Sequence, residues 1–282
     1  MIKKVLTIAG SDAGGGAGIQ ADLKTFQEFG TFGLSSLTSI LTVDPVAPIP
    51  SIHPIPLEVV KKQLATAFSG GALAAVKIGL LGSSDVVTLI ESYLTTNRQT
   101  KVVLDPVMAV KGNNDVLQPE LVSAMIDALI PLADVITPNL VEAQILSGIS
   151  HIETKTDMKK AAQKIHQLGA KSVVIKGGAR FPGEVATDLF YDGTAYHFYE
   201  QAKLATDTNH GAGCSFAAAI TASLARDIPL NKAVGLAKNY VREAIDHGLY
   251  LNDFTGYVWH GAYFQTDTRL NERLNEQEMP HE

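Results

Sequence analysis

Short runs of β-branched and aliphatic residues alternate along this chain with longer segments whose apolar residues recur every three or four positions. The runs at 4–9, 74–78, 101–104, 134–136 and 172–175 read as strands, and the segments 19–29, 57–68, 85–93, 119–129 and 156–168 read as helices. Strand, helix, strand repeated in this way predicts an α/β fold, a doubly wound and mostly parallel sheet with helices on both faces. Two further strands, 186–191 and 195–198, flank the turn Asp192-Gly193 as a hairpin. The last third reads as two helices, 213–225 and 230–247. One segment breaks the rhythm. Residues 44–56 contain five prolines, at 45, 48, 50, 54 and 56, which exclude a helix and a central strand. A small flap or sheet edge over a site fits them, and so does a plain surface crossover.

With 282 residues, 46% of them hydrophobic and 18% charged, the chain can fill one large core. No linker, repeat or low-complexity stretch divides it, so the expectation is a single domain over 1–282 with a frayed polar tail at 265–282. The formal charge of -6 argues against general attraction to nucleic acid or an anionic membrane. Phosphate binding then requires a local positive field. A single cysteine, Cys214, makes no internal disulfide, and no Cys/His spacing resembles a zinc site. The N-terminal apolar stretch is short and reads as a buried strand, not a signal peptide. No charge-free apolar run approaches the ~18 residues of a membrane span, so the expected location is the cytoplasm.

Glycine collects in two places. The first, Gly10 to Gly18, lies between the first strand and the first helix, where backbone N–H groups can approach a ligand closely. It contains Gly16-x-Gly18-x-x-Ala21, a loose dinucleotide fingerprint, but the acidic residue expected about 20 positions on is missing, Asp44 being the nearest. A nicotinamide or flavin dehydrogenase is therefore disfavoured. The second cluster, Asn209-His210-Gly211-Ala212-Gly213-Cys214, opens a helix. A helix starting on Gly-x-Gly aims N–H donors and its positive end outward, an arrangement suited to a phosphoryl group. The plainer alternative is a glycine cap on a buried helix. No Walker A sequence occurs.

Seven motifs in order, Thr7-Ile8-Ala9-Gly10-Ser11-Asp12, Gly15 to Thr25, Lys77-Ile78-Gly79-Leu80-Leu81, Asp105-Pro106-Val107-Met108, Thr137 to Ala143, Lys176-Gly177-Gly178 and His210 to Cys214, carry a resemblance covering roughly residues 4–263. The chain resembles the hydroxymethylpyrimidine/phosphomethylpyrimidine kinase family of the ribokinase-like superfamily, and is especially similar to its pyridoxal kinase branch from Gram-positive bacteria. The resemblance implies a ribokinase-like fold and ATP-dependent phosphorylation of a hydroxymethyl group on a small vitamin precursor. It also implies a homodimer and a site along the carboxyl ends of the strands. Asp105, Asn139 and Lys176 each follow a predicted strand, which agrees with that location.

By the same resemblance Asp105 and Glu142 lie near Mg²⁺, with Asn139 and Lys176 on the ATP phosphates. Asp188 and Lys238 fall near the adenine. Gly211, Gly213 and Cys214 would surround the transferred group, Cys214 standing where most of the superfamily has an aspartate base. Gly10, Ala17, Asp22, Val43, Leu80 and Val107 would form the ring pocket, and Lys111 would reach the phosphate. Several have a structural alternative. Asn139 and Glu142 match a capping box, and Asp105 before a proline suits a turn. Lys176 could extend to water, and Lys111 could be a solvated surface lysine. Asp22 suits the first turn of a helix, and Cys214 suits a small buried hydrophobe. As a catalytic group, a thiol at a helix N-terminus is expected to have a lowered pKa.

The substrate is less sharply written. Valine at 43 replaces the glutamine usual in pyrimidine kinases. Val110 replaces a cysteine of the pyridoxal branch, which implies weaker handling of the aldehyde than of the alcohol. The Trp-Ser-His of parts of that branch is absent from 44–56. The His210–Cys214 motif, Lys111-Gly112, Asn252-Asp253-Phe254 and His260 to Tyr263 look more like the pyridoxal branch. The expected substrate is thus a pyridoxine-type pyridine, with a thiamine-type pyrimidine as the alternative or second activity. A sugar or nucleoside kinase would have aspartate at 214. A non-catalytic ligand-binding relative would be expected to lose Asp105, Lys176 or the glycine cradle.

Overall fold

A computed structural model describes residues 2–44, 46, 49–108 and 119–265. Lys111 and Val110 lie outside the described residues, as does nearly all of the expected tail. The first strand, β1 (Lys4–Asp12), has a fully buried centre and feeds α1 (Gly18–Glu28). The chain then forms β2 (Phe32–Val43), β3 (Pro50–Pro54), α2 (Leu57–Ser69), β4 (Ala75–Ile78), α3 (Ser84–Thr96) and β5 (Lys101–Leu104). After the segment outside the described residues come α4 (Pro119–Ala124), β6 (Val135–Ile136), α5 (Leu140–Ser147), α6 (Lys155–His166) and β7 (Val173–Lys176). The hairpin β8 (Val185–Tyr191) and β9 (Tyr196–Ala202) precedes α7 (Ala212–Ala225) and α8 (Leu230–Asp246).

Among the described residues nine strands form one sheet in the order β3-β2-β1-β4-β5-β6-β7-β8-β9. Pairings from β2 through β7 are parallel, and antiparallel strands close both ends. Two apolar cores lie on opposite faces. One is built around Phe26, Phe29, Phe216 and Tyr240, on α1, α7 and α8. The other gathers side chains of α2 to α6 and of the turn after α4, among them Leu64, Ile90, Met125 and Ile165. Full burial of one such side chain stabilises by roughly 1.5–3 kcal/mol, so each helix is held to the sheet by several of them. This is the doubly wound α/β architecture expected from the pattern. Along the chain, strands are added first on one side of β1, as β2 and β3, and then on the other side from β4 onward. The crevice at such a switch point, at the carboxyl ends of the strands, is where ligands bind in open sheets.

The proline-rich segment supplies an edge strand, β3, paired with β2 in the register Val43↔Pro50 to Ser39↔Pro54. Proline, lacking an N–H, is tolerated there. β2 itself was not anticipated. Its apolar residues are interrupted by Ser35, Ser36, Thr38, Ser39 and Thr42, and Ser36, Thr38 and Ser39 are buried. The expected helix 119–129 is shorter: α4 gives way to a π-helical turn, Met125–Leu129, and a tight turn containing Pro131. A small hairpin, β10 (Leu249–Asn252) with β11 (Thr255–Tyr257), follows the last long helix.

Candidate active site

The two glycine clusters are packed against each other. Asp12, the buried end of β1, accepts hydrogen bonds from the N–H of Gly14 and of Ala17, both at 2.9 Å. Its Oδ2 lies 3.0 Å from His210 Nε2. Burial raises the Asp12 carboxyl, but His210 and the two amides outweigh this and hold it below the usual carboxylate range. Gly211 has φ 93°, and a Cβ there would lie 1.7 Å from Gly16 O. Glycine at 211 is therefore required by backbone contact between the loops, independently of any ligand. Tyr257 packs on Gly14 and Gly16 from outside.

α7 opens on Gly211 with no side-chain cap, so the N–H groups of Gly213 and Cys214 sit in a first turn that offers them no intrahelical acceptor. Lys176 Nζ stands 3.5 Å from the position a Gly213 Cβ would take. Lys176 ends β7, Asp105 follows β5, and Glu142 lies in the first turn of α5, so the sheet brings all three to one end. Lys176 Nζ donates to Asp105 Oδ1 at 2.6 Å, and Thr137 Oγ1 donates to the same oxygen at 3.1 Å. Asn139 and Glu142 form the capping box anticipated from their spacing. The Asn139 N–H donates to Glu142 Oε2 at 2.8 Å, and Asn139 Oδ1 accepts from Val141 and Glu142. Burial pushes the Glu142 carboxyl up to about 7; Lys176 opposes the rise and Asp105 adds to it. Burial alone would lower the Lys176 ammonium, yet Asp105 and Glu142 hold it above its ordinary value.

Among the described residues no group of three or more His, Cys, Asp or Glu forms a metal cage. Mg²⁺ commonly uses one or two carboxylates together with substrate phosphates and waters. Two neighbouring carboxylates beside a single lysine fit an ion that arrives with a nucleotide.

Beside this cluster a cleft is lined by Gly178, Ala186, Asp188, Phe216, Lys238 and Val241. Asp188 Oδ1 accepts from Gly177 N and Gly178 N at 2.9 and 3.2 Å, and its Oδ2 accepts from Lys238 Nζ at 2.7 Å. Asp188 and Lys238, assigned from far-apart segments, are thus a pair, and the carboxylate shapes the loop after β7. Phe216 and Val241 were not singled out. The three- and four-residue spacing of Lys238, Val241, Arg242 and Ile245 down one side of α8 carried the signal for Val241.

At the other end of the crevice, a Cβ on Gly10 would meet Ser39 Oγ at 2.8 Å and Leu80 Cδ2 at 3.3 Å. Gly10 and Leu80 are therefore neighbours, with half-buried Ala17 at the start of α1 and half-buried Val107 beyond β5. Val43 is exposed at the tip of β2. Asp22 is placed differently from the expectation. Its side chain is 0% exposed, ion-paired with Lys77 at 2.7 Å and hydrogen-bonded by Thr7 Oγ1 at 2.6 Å. It presents no accessible atom to a ring.

Cys214 is half-buried in the first turn of α7. The expectation of a lowered thiol pKa is corrected: burial pushes it up to about 11, Lys77 pulls the other way, and Asp22 and Asp105 add to the rise. Desolvation of a thiolate outweighs both the helix terminus and one nearby cation here.

Among the described residues no helix is long and apolar enough to cross a membrane. The chain matches the family model described as phosphomethylpyrimidine kinase over residues 12–259. It is 44% identical over 273 residues to the pyridoxine kinase of Bacillus subtilis (strain 168), covering 96% of this chain and 98% of the relative. It is 42% identical over 265 residues to the hydroxymethylpyrimidine/phosphomethylpyrimidine kinase of Haemophilus influenzae, covering 93% and 98%. The solved pyridoxal kinase of Staphylococcus aureus in complex with AMP-PCP and pyridoxal superposes with a TM-score of 0.89 at 43% identity, over 94% of this chain and 96% of that one. A shared fold, and identity sustained over nearly the whole of both chains, make this protein a member of the phosphomethylpyrimidine kinase family.

Proposed function

We propose that the protein is an ATP-dependent kinase, acting as one catalytic unit in the cytoplasm, that phosphorylates the hydroxymethyl group of pyridoxine and pyridoxal. The observation that carries this reading is the approach of the Lys176–Asp105 pair to Gly213, which joins a lysine, two acids and a helix N-terminus at one point. Transfer of a phosphoryl group demands positioning and charge neutralisation more than covalent chemistry. Lys176 and Asn139 would hold the ATP phosphates, and Asp105 and Glu142 would hold Mg²⁺, which supplies charge neutralisation on those phosphates. The N–H groups of Gly213 and Cys214 face the charge that develops on the transferred group. The cleft with Lys238 and Asp188 takes the nucleoside, and the Gly10–Leu80 end takes the ring. Cys214 hydrogen-bonds the acceptor hydroxyl and, in its thiolate form, receives its proton as transfer proceeds.

The pyridine is favoured by Val43, whose side chain offers no hydrogen bond to a pyrimidine edge. Apolar side chains at Ile40, Val43, Val46, Ile49 and Ile52 stand exposed on and between β2 and β3, and a second copy of the chain would cover them; sedimentation of the purified protein checks the dimer. The function is tested by ADP release with Mg-ATP and, in parallel, pyridoxine, pyridoxal, hydroxymethylpyrimidine and its monophosphate. Turnover on the first two is expected. Turnover on the pyrimidines alone would replace this reading with a thiamine-precursor kinase, and silence on all four would overturn it.

A further inference from the structure

Lys77 has no part in the reading above, and its surroundings are costly for a lysine. It lies inside β4, in register with Thr7 of β1 and Val103 of β5, and its side chain is 0% exposed. Nζ stands 2.7 and 2.8 Å from the two carboxylate oxygens of Asp22. One of these, Oδ1, forms no hydrogen bond of acceptable direction despite its closeness. A buried ion pair of this kind adds little stability over apolar residues of similar volume, so stability alone does not account for it. Its position is informative. The Lys77 ammonium lies 3.3 Å from where a Gly79 Cβ would stand, and Gly79 leads directly into Leu80 of the ring pocket. Asp22, on α1, locks it from the face on which α1 packs beside α7, whose first turn carries Cys214.

We propose that Lys77 is a positioning residue for phosphoryl transfer, a sealed positive charge that Asp22 holds beneath the acceptor hydroxyl and the Cys214 sulfur. This rests on the kinase reading above. In the step it serves, the acceptor oxygen attacks the γ-phosphorus. The bond from phosphorus to the β–γ bridging oxygen breaks, its electron pair leaving with ADP, and the hydroxyl proton passes to the sulfur of Cys214 in its thiolate form. The thiolate and the developing alkoxide are both anionic, and a fixed cation in a dry site favours each without reorganising. The groups whose charges act on the sulfur are Lys77 from β4, Asp22 from α1 and Asp105 after β5, with the Gly18 N–H as a hydrogen-bond donor. Lys176 also feels its charge, from β7.

Because Cys214 is the only cysteine, its alkylation by iodoacetamide can be followed against pH without nucleotide or metal. Lys77→Met is expected to slow alkylation about tenfold below the thiol pKa, one pKa unit being a factor of ten. Asp22→Asn, which leaves the ammonium uncompensated, should speed it. In turnover, Lys77→Met should lower kcat with little change in KM for ATP. A merely structural pair would move both alkylation profiles the same way or neither, and that result overturns the proposal. If Lys77→Met does not fold, Asp22→Asn decides alone, an unchanged or slower rate being fatal. Opposed alkylation shifts with a wild-type protein that phosphorylates no acceptor would remove the kinase reading and the transfer role, while leaving the coupling of Lys77 to the sulfur intact. The two failures are thus distinguishable.

Discussion

Two lysines reach carboxylates near the same end of the sheet, and they are built for opposite purposes. Lys176 meets Asp105 at 2.6 Å with 14% of its side chain exposed, faces Gly213, and has a second acid, Glu142, close enough to act on its charge. Lys77 meets Asp22 with nothing exposed on either partner. The first pair has an open side and surplus negative charge, so the ammonium can turn from a carboxylate to a phosphate at little net cost. The second has no route to a ligand and can act only through its field. Accessibility of the ammonium, and not the strength of the pair, separates the role proposed for Lys176 from the one proposed for Lys77.

The comparison is broken most directly by removing each ammonium. Lys77→Met strands a buried carboxylate and should cost about 3–5 kcal/mol of folding stability, read as a lower denaturant midpoint at unchanged slope. Lys176→Met leaves Asp105 beside Thr137 and the crevice, so its stability loss should be clearly smaller. Its effect falls on catalysis, where losing one preorganised charge on the transferring group costs about 10²–10³ in kcat. Equal stability losses in the two variants would erase the distinction drawn here.

How far the sequence reached follows the same line between local and distant causes. Helices such as α2 and α8 were legible because their apolar stripes are local, and the Asn139–Glu142 capping box because its partners are three residues apart. Asp105, Asn139 and Lys176 were legible as a group because each lies at or just beyond the end of a strand, and parallel topology brings strand ends together. β2 was not legible, since its buried Ser36, Thr38 and Ser39 imitate a polar loop. The Asp22–Lys77 pair joins residues 55 positions apart, and no periodicity announces it. The expected thiol pKa of Cys214 rested on its helix terminus; the burial that reverses it is a property of packing.

Glu142 sharpens the comparison from the acid side. Its carboxyl is pushed up to about 7 from an ordinary value of 4.5. For a folded-state pKa above the unfolded one, the associated stability is complete below about pH 4.5 and is lost as pH rises through 7. The loss should reach about 3 kcal/mol, at 1.36 kcal/mol per pKa unit. Glu142→Gln should flatten that slope in urea titrations between pH 4.5 and 7.5. Mg²⁺ with a nucleotide should shift the loss to lower pH, since a cation favours the ionised acid. No such slope would mean that Glu142 is ionised at rest, and that the site lacks the crowding that distinguishes it from the neutralised Lys77 pair.

The smallest effect belongs to the clasp between the glycine loops. Asp12 has a depressed pKa, so the sign is opposite: its contribution is present above the ordinary carboxylate value and is lost as pH falls through the folded one. Asp12→Asn keeps an acceptor for one amide but loses the charge that His210 and two N–H groups share, a change of about 1.5–3 kcal/mol for a hydrogen bond to a charged group. Lost stability should be accompanied by a raised KM for the acceptor, because the loop that Asp12 folds carries Ala17, which is proposed to line the ring pocket. Lys77→Met is expected to change kcat and leave binding nearly alone. If both variants alter kcat with KM fixed, the loop clasp and the buried charge act on the same step, and the ring pocket does not depend on how the two glycine loops are pinned together.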